Sequence, residues 1–225
     1  MIYLFHGLDE IPPAQFQKLL NILPRERQQY ILHYRRIEDQ KRSAMGWLLL
    51  CHGLYQEYGI ADLPPLDFTS SGKPFFLQKA LPFFNISHSG SFAACALYHE
   101  EIGLDVQKLT TPRPSLVKRV CTEEEHSQIS SPADFCRLWS RKESAVKLTG
   151  EGITENFCEI LALRPDMHTS SVPLKENAGY LSYSIYKDEK IPVIPVTVRQ
   201  LLERVPKITP SACTPCFAGQ KSHKP

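Results

Sequence analysis

The sequence predicts an α+β fold, and three observations carry that reading. Helical stretches alternate with pairs of short apolar runs around polar turns, rather than with the single spaced strands of β-α-β-α units. Two stretches, residues 25–58 and 134–148, carry apolar side chains at spacings of three and four. No Gly-x-Gly-x-x-Gly or Gly-x-x-x-x-Gly-Lys-Ser/Thr phosphate loop appears, which disfavours a dinucleotide-binding or P-loop enzyme. The chain has 225 residues, 42% of them hydrophobic and 10% aromatic. That is enough for a sizeable core, and it suits one large domain or two intimate halves.

Residues 1–5 form an apolar run followed at once by His6, Asp9 and Glu10, with no basic flank and no small-residue cleavage site. They read as a first strand, not a signal peptide. Pro12-Pro13 and Pro24 bracket a short helix. The spacing then predicts one long helix over 25–58, with Ile37, Ala44, Trp47, Leu48, Cys51, Leu54, Tyr55 and Tyr58 as its apolar positions and Gly59 as its C-terminal cap. Residues 61–84, rich in Pro, Ser and Gly with alternating aromatics, read as loops and short strands. Runs 92–98 and 102–106 flank His99-Glu-Glu101 and predict a β-hairpin.

Thr122-Glu-Glu-Glu125 has the spacing of a capping box, so this acidic cluster reads as a helix start. A helix over 134–148 follows, with Phe135, Leu138, Trp139 and Val146 on its core face, closed by Thr149-Gly-Glu-Gly152. Runs 180–186 and 191–198 around Lys187-Asp-Glu-Lys190 predict a second hairpin, and Pro192 and Pro195 mark an edge strand there. Beyond about Pro206 the pattern is polar and aperiodic, and a mobile tail is expected. No repeat of solenoid period is present.

Composition excludes several classes. Lys plus Arg number 26 against 24 acids, a net charge of +2, too weak a bias for a nucleic-acid binder. No apolar run approaches the roughly 20 residues of a membrane span. Seven cysteines, an odd and irregularly spaced set, suit a reducing cytoplasm. The lone Cys213-Thr-Pro-Cys216 is a weak redox or zinc signal. The eight histidines form no HExxH or HxxxH pair, which disfavours a zinc enzyme.

Four features look chemical. In Arg35-Arg36-x-x-Asp39-x-x-Arg42, helical spacing puts 35, 39 and 42 on one face, either as an anion clamp or as a solvated face bridged by Asp39. Ser71-Gly-Lys-Pro74 sets a cation at a stiff turn. Phe84-Asn-Ile-Ser-His-Ser-Gly90 reads as a turn that offers hydroxyls, an imidazole and backbone N–H groups to a phosphate, or as a plain Asx/Ser turn. In Trp139-Ser-Arg-Lys-Glu-Ser-Ala-Val-Lys147, Trp139, Glu143 and Lys147 line one helix side. An ordinary Glu-to-Lys pair would explain the last two, but not Asp105, a carboxylate interrupting an apolar strand. A magnesium ion on Asp105 and Glu143, with a diphosphate held by Lys142 and Lys147, explains them together.

Gly72-Lys-Pro74, Asn85-Ile-Ser-His-Ser89, Ile102-Gly-Leu-Asp105 and Trp139-Ser-x-Lys-Glu-Ser-x-x-Lys147 resemble, in order and spacing, the motifs of the Sfp-type 4′-phosphopantetheinyl transferases. The match spans roughly residues 30–152. The resemblance implies two similar α/β halves about a pseudo-two-fold axis, here 1–101 and 102–205 with a tail at 206–225, and a monomer. It implies coenzyme A as substrate, Mg²⁺ (or Mn²⁺) as cofactor, and a serine of an apo acyl or peptidyl carrier protein as acceptor, releasing 3′,5′-ADP.

Carried over by position, Arg35, Arg36 and Arg42 take the adenosine 3′-phosphate side. Lys73, Ser87 and His88 are further nucleotide-phosphate contacts. Lys142 and Lys147 grip the diphosphate, and Asp105 and Glu143 bind the metal. Glu143, Lys147 and Asp105 carry the chemistry, with Glu143 or a metal-bound water as base. One departure stands out: many relatives carry Asp-x-Glu where this chain reads Asp105-Val-Gln107, so a neutral Gln107 stands where those relatives have a third metal-binding carboxylate, though some relatives also lack that acid. Two other readings stay open. One is a coenzyme-A-binding protein whose transferase activity has decayed; the other is a different Mg²⁺-dependent nucleotide phosphotransferase or hydrolase.

Overall fold

The computed structural model describes residues 1–152 and 155–204, so the expected tail at 206–225, with Cys213 and Cys216, lies outside the described residues. In chain order the elements are β1 (Ile2–His6), α1 (Pro13–Leu20), α2 (Arg25–Leu32), α3 (Ile37–Tyr58), β2 (Leu66–Phe68), β3 (Pro74–Phe76), β4 (Phe83–Ser89), β5 (Phe92–Tyr98) and β6 (Gly103–Lys108), then α4 (Pro114–Val120), α5 (Glu123–Gln128), α6 (Pro132–Thr149), α7 (Ile160–Leu163), β7 (His168–Pro173), β8 (Gly179–Ile185), β9 (Val193–Pro195) and α8 (Val198–Arg204). The α+β class expected from the sequence is what the chain adopts.

Two sheets face each other, and each carries a long helix on its outer side. The first has order β4-β5-β1-β9 and the second β6-β8-β7; α3 packs on the first and α6 on the second. Alternation along the strands sorts the side chains into layers. Tyr3, Phe5, Ala93, Cys95 and Leu97 join Leu48, Leu50 and Leu54 in the core under α3. Ile2, Ala94 and Ala96 face the other way and meet Leu104, Val106, Leu181 and Tyr183 between the sheets. β5, covered on both faces, is buried at every residue, which explains its unbroken apolar run. A third cluster, including Val120, Phe135, Val146 and Phe157, packs on the far side of α6.

Three expectations about pairing and extent are corrected. The helix predicted over 25–58 is two helices, because residues 33–36 belong to neither: α2 ends on its cap His33, and Arg36 becomes the extended N-cap of α3. Ile37, Tyr55 and Tyr58, read as core, lie exposed at its two ends; Gly59, at φ 67°, is the left-handed cap the sequence suggested.

β5 and β6 do not form a hairpin. Both edges of β5 are taken by β4 and β1, so β6 crosses to the second sheet and pairs with β8. Nor do β8 and β9 pair. β9 returns to the first sheet, parallel to β1, where it is the edge strand that Pro195 requires. Val196 and Leu201 after it pack in the first core, so the end of the segment expected to form the second half covers the first sheet.

α5 starts on the capping box expected at Thr122 and Glu125. A second box, Ser131 with Asp134, starts α6 and passed unnoticed in the sequence.

Candidate active site

The long helix α6 comes unusually close to the second sheet because the contacting residues are small. Ser140 and Ser144 exchange hydroxyl hydrogen bonds with Ser182 and Ser184 of β8 at 2.7 and 2.8 Å, all four side chains fully buried. Gly103 of β6 sits directly under the helix: a Cβ there would lie 1.8 Å from the Ser144 carbonyl oxygen and 2.5 Å from the Leu148 nitrogen. Backbone on both sides leaves nothing flexible to move aside. Gly103→Ala is therefore expected to force α6 off the sheet and cost about 1–3 kcal/mol, as overpacking does. A fall in the urea midpoint checks this.

This closeness brings α6 side chains onto Asp105. The carboxylate, only 5% exposed, projects from β6 toward α6, since Leu104 and Val106 point the other way. Its Oδ1 accepts hydrogen bonds from Lys147 Nζ at 2.6 Å and from Ser87 Oγ at 2.9 Å. Its Oδ2 is buried without a hydrogen-bond partner. Glu143 lies one turn before Lys147. Burial, and then the Asp105 charge, push its carboxyl pKa up, with Lys147 pulling the other way. Two carboxylates thus share one ammonium, and the orphaned Oδ2 marks where positive charge is short.

Gln107 lies two residues beyond Asp105 on the same strand face. It lines a cleft of about 650 Å³ whose walls include Arg113, Leu116, Arg119, Phe135 and Trp139. Trp139, one turn before Glu143, is held there by Phe157 in an edge-on contact at 5.6 Å.

On the other side of the site stand β4 and α3. Arg42 of α3 donates to Asp39 Oδ1 at 2.5 Å and to the Gly90 carbonyl at 3.3 Å. His88 of β4 keeps an exposed edge. Its pKa is held below the ordinary value by burial of the ring within its groove, and then by the nearby Lys147 and Arg42 cations. At neutral pH it is a neutral imidazole beside two positive charges. Asp105, Glu143, Lys147, Arg42 and His88 are the expected residues that the fold brings into one electrostatic neighbourhood.

The remaining expected residues are placed differently. Arg35 and Arg36 are exposed in the bend before α3, so the helical face expected to stack 35 with 39 and 42 does not form. Lys73 donates to Glu101 Oε2 at 2.5 Å and to the Leu148 carbonyl at 3.2 Å, tying the loop after β2 to the end of α6. Ser87 is buried within β4, a strand where the sequence suggested a turn.

Lys142 is corrected as a diphosphate grip. It is fully buried, and its ammonium donates to the Val120 carbonyl at 2.8 Å, to Glu125 Oε2 at 2.6 Å and to the Cys158 carbonyl. An ammonium has three hydrogens to give, and all three are taken by the protein. What the sequence did not reveal is that Glu125, expected as a cap of α5, also holds Lys142, and that Gly103 is needed for what lies above it. Among the described residues no group of three or more His, Cys, Asp or Glu is arranged to hold a metal, in line with Gln107 standing in a carboxylate's place.

Two family descriptions divide the chain between them. Residues 101–193 match "4′-phosphopantetheinyl transferase superfamily", and residues 11–100 match "4′-phosphopantetheinyl transferase, N-terminal". Among curated proteins, the chain is 28% identical over 161 residues to the 4′-phosphopantetheinyl transferase Sfp of Bacillus subtilis strain 168, covering 68% of this chain and 70% of that one. It is 27% identical over 161 residues to 4′-phosphopantetheinyl transferase psf-1 of Bacillus pumilus, covering 68% and 69%. With a 4′-phosphopantetheinyl transferase of Bacillus subtilis it shares 32% over 146 residues, covering 59% and 63%. The chain thus spans about two thirds of the length of these relatives.

Proposed function

Since the chain belongs to the 4′-phosphopantetheinyl transferase superfamily, we propose that it transfers the 4′-phosphopantetheine group of coenzyme A to a serine of an apo acyl or peptidyl carrier protein, with Mg²⁺ as cofactor. The observation that carries this reading is the convergence of Asp105, Glu143 and Lys147 beneath α6, with Arg42 and His88 across β4.

The donor set fits a hard divalent cation. Asp105 Oδ2 lacks a hydrogen-bond partner, and Glu143 is an anion raised in energy by burial and then by the Asp105 charge. Magnesium is typically held by one or two carboxylates plus substrate phosphates, so Asp105 and Glu143 suffice as protein ligands, with Gln107 offering an amide oxygen. When bound, the cation neutralises charge on the diphosphate.

The chain's own groups do the rest. Lys147 sits where charge builds on the departing 3′,5′-ADP phosphate. Arg42 and neutral His88 hold nucleotide phosphate oxygens on the β4 side, and exposed Arg35 and Arg36 extend the positive surface toward the 3′-phosphate. Glu143, its basicity raised by burial, accepts the serine proton. The serine Oγ–P bond forms, the bond from phosphorus to the 3′,5′-ADP oxygen breaks, and the electron pair leaves with 3′,5′-ADP. The cleft beside Gln107 leads out past Arg113 and Arg119, two cations suited to an acidic carrier surface, with Leu116 and Trp139 as apolar contacts. A single chain carries every residue named.

The expected result of incubating the protein with coenzyme A, Mg²⁺ and an apo carrier is 3′,5′-ADP in step with carrier consumed, and none after chelation. The same product without carrier would indicate a hydrolase. Coenzyme A binding indifferent to Mg²⁺, with no product, would indicate a decayed binder.

A further inference from the structure

Where the two sheets meet at the site, no backbone ladder joins them. β6 is the edge of its sheet, in antiparallel register with β8 from Gly103 to Lys108. In such a pair alternate residues turn their backbone N–H groups away from the partner strand, and those of Leu104, Val106 and Lys108 point outward, toward β4. An edge with buried unpaired donors costs stability and invites mispairing.

Three side chains of β4 meet that need. Asn85 Oδ1 accepts from the Leu104 N–H at 3.3 Å, Ser87 Oγ from Val106 at 3.1 Å and Ser89 Oγ from Lys108 at 3.1 Å. Each pair is offset by the same 19 residues, so the two strands run parallel in a fixed register. Asn85, Ser87 and Ser89 lie two apart and share one face of β4, opposite Ala96, Ala94 and Phe92 of β5. Short polar side chains replace the apolar inter-sheet layer where acceptors are needed.

Ser87 has a second task. Its hydroxyl donates to Asp105 Oδ1 and accepts from Val106 N–H and from Lys147 Nζ at 3.0 Å. One donor and two lone pairs are a hydroxyl's whole capacity; nothing is left for a phosphate. We propose that Asn85, Ser87 and Ser89 form a side-chain ladder that fixes β6 against β4, and that Ser87 is a positioning residue which orients the Asp105 carboxylate and the Lys147 ammonium rather than touching substrate. The ladder turns Asp105 so that Oδ1 is spent on Ser87 and Lys147 and Oδ2 is left free.

The positioning role rests on the transferase reading, but the ladder does not, and the test separates them. In Ser87→Ala, amide hydrogen exchange at Val106 is expected to quicken roughly three- to tenfold, the net worth of one hydrogen bond. Leu104 should respond instead to Asn85→Ala. Coenzyme A affinity by calorimetry without Mg²⁺ should change less than about twofold in Ser87→Ala, while kcat falls at least tenfold at unchanged KM for coenzyme A, a loss of orientation rather than of binding. Ser87→Thr, which keeps the hydroxyl, should restore both the Val106 amide and kcat. Unaltered exchange at Val106 would overturn the ladder. A coenzyme A Kd raised tenfold in Ser87→Ala would make Ser87 a substrate contact and overturn the positioning role. A parent chain without transferase activity would leave the exchange result standing and sink the functional reading alone.

Discussion

Glu143→Gln is expected to lose transfer by a factor of about 10²–10⁴, the usual worth of a positioned general base, and yet to unfold at a higher temperature than the parent chain. Both follow from one electrostatic fact. Burial and the Asp105 charge raise the Glu143 pKa above its ordinary value of 4.5. A carboxyl whose pKa is higher folded than unfolded favours the folded state while it is protonated. That favour is lost as pH rises through the interval between the two values, so ionised Glu143 costs stability at neutral pH. Glutamine keeps the shape and removes the charge. The same shift sets the acid limb for the free enzyme: kcat/KM should fall as pH drops through a value above 4.5, and in Glu143→Gln that limb should disappear from the residual rate. Thermal melts without Mg²⁺ and a kcat/KM–pH profile check the pair of expectations. A variant both inactive and destabilised would point to a structural role instead.

Lys142→Ala is expected to give the largest loss of stability, roughly 3–5 kcal/mol for a buried pair with one partner removed, near the lower end because Glu125 still reaches water. The cost has three parts. Glu125 keeps its charge without its closest cation, the Val120 and Cys158 carbonyls lose a donor, and a long side chain leaves a void. α5 and the segment at Cys158 should loosen first, since Lys142 is what fastens both to α6. Chemical denaturation measures the loss. Coenzyme A affinity of the folded fraction should be close to the parent's, whereas a residue that gripped diphosphate would show a large affinity loss in a stably folded variant.

Much of the site was legible in the sequence for local reasons. A carboxylate in an apolar strand announces itself, and i,i+4 spacing puts Glu143 and Lys147 on one helix side whatever the fold. The misread features depend on distant parts of the chain. Lys142 stands in the same motif as Glu143 and Lys147, and only the packing of α4 and α5 over α6 shows that it turns inward. Asn85-Ile-Ser-His-Ser89 has a turn's composition, yet it is a strand because its polar side chains serve the open edge of β6. The two expected hairpins failed for a related reason: closeness in sequence suggests pairing, but β5 already had a partner on each side. The break at 33–36 carries no Pro or Gly to betray it. α2 and α3 each pack into the first core, through Ile31 from one and Leu48 from the other, a packing that depends on the rest of the chain.

The most direct measurement is the intact mass of a purified apo carrier protein after incubation with this protein, coenzyme A and Mg²⁺, beside an EDTA control and the Asp105→Asn variant, with the modified residue mapped by proteolysis. A gain of one phosphopantetheine on the carrier serine, abolished by EDTA and by Asp105→Asn, is the predicted result. An unmodified carrier across fatty-acid, polyketide and peptide classes, or a gain that persists in Asp105→Asn, would contradict the account.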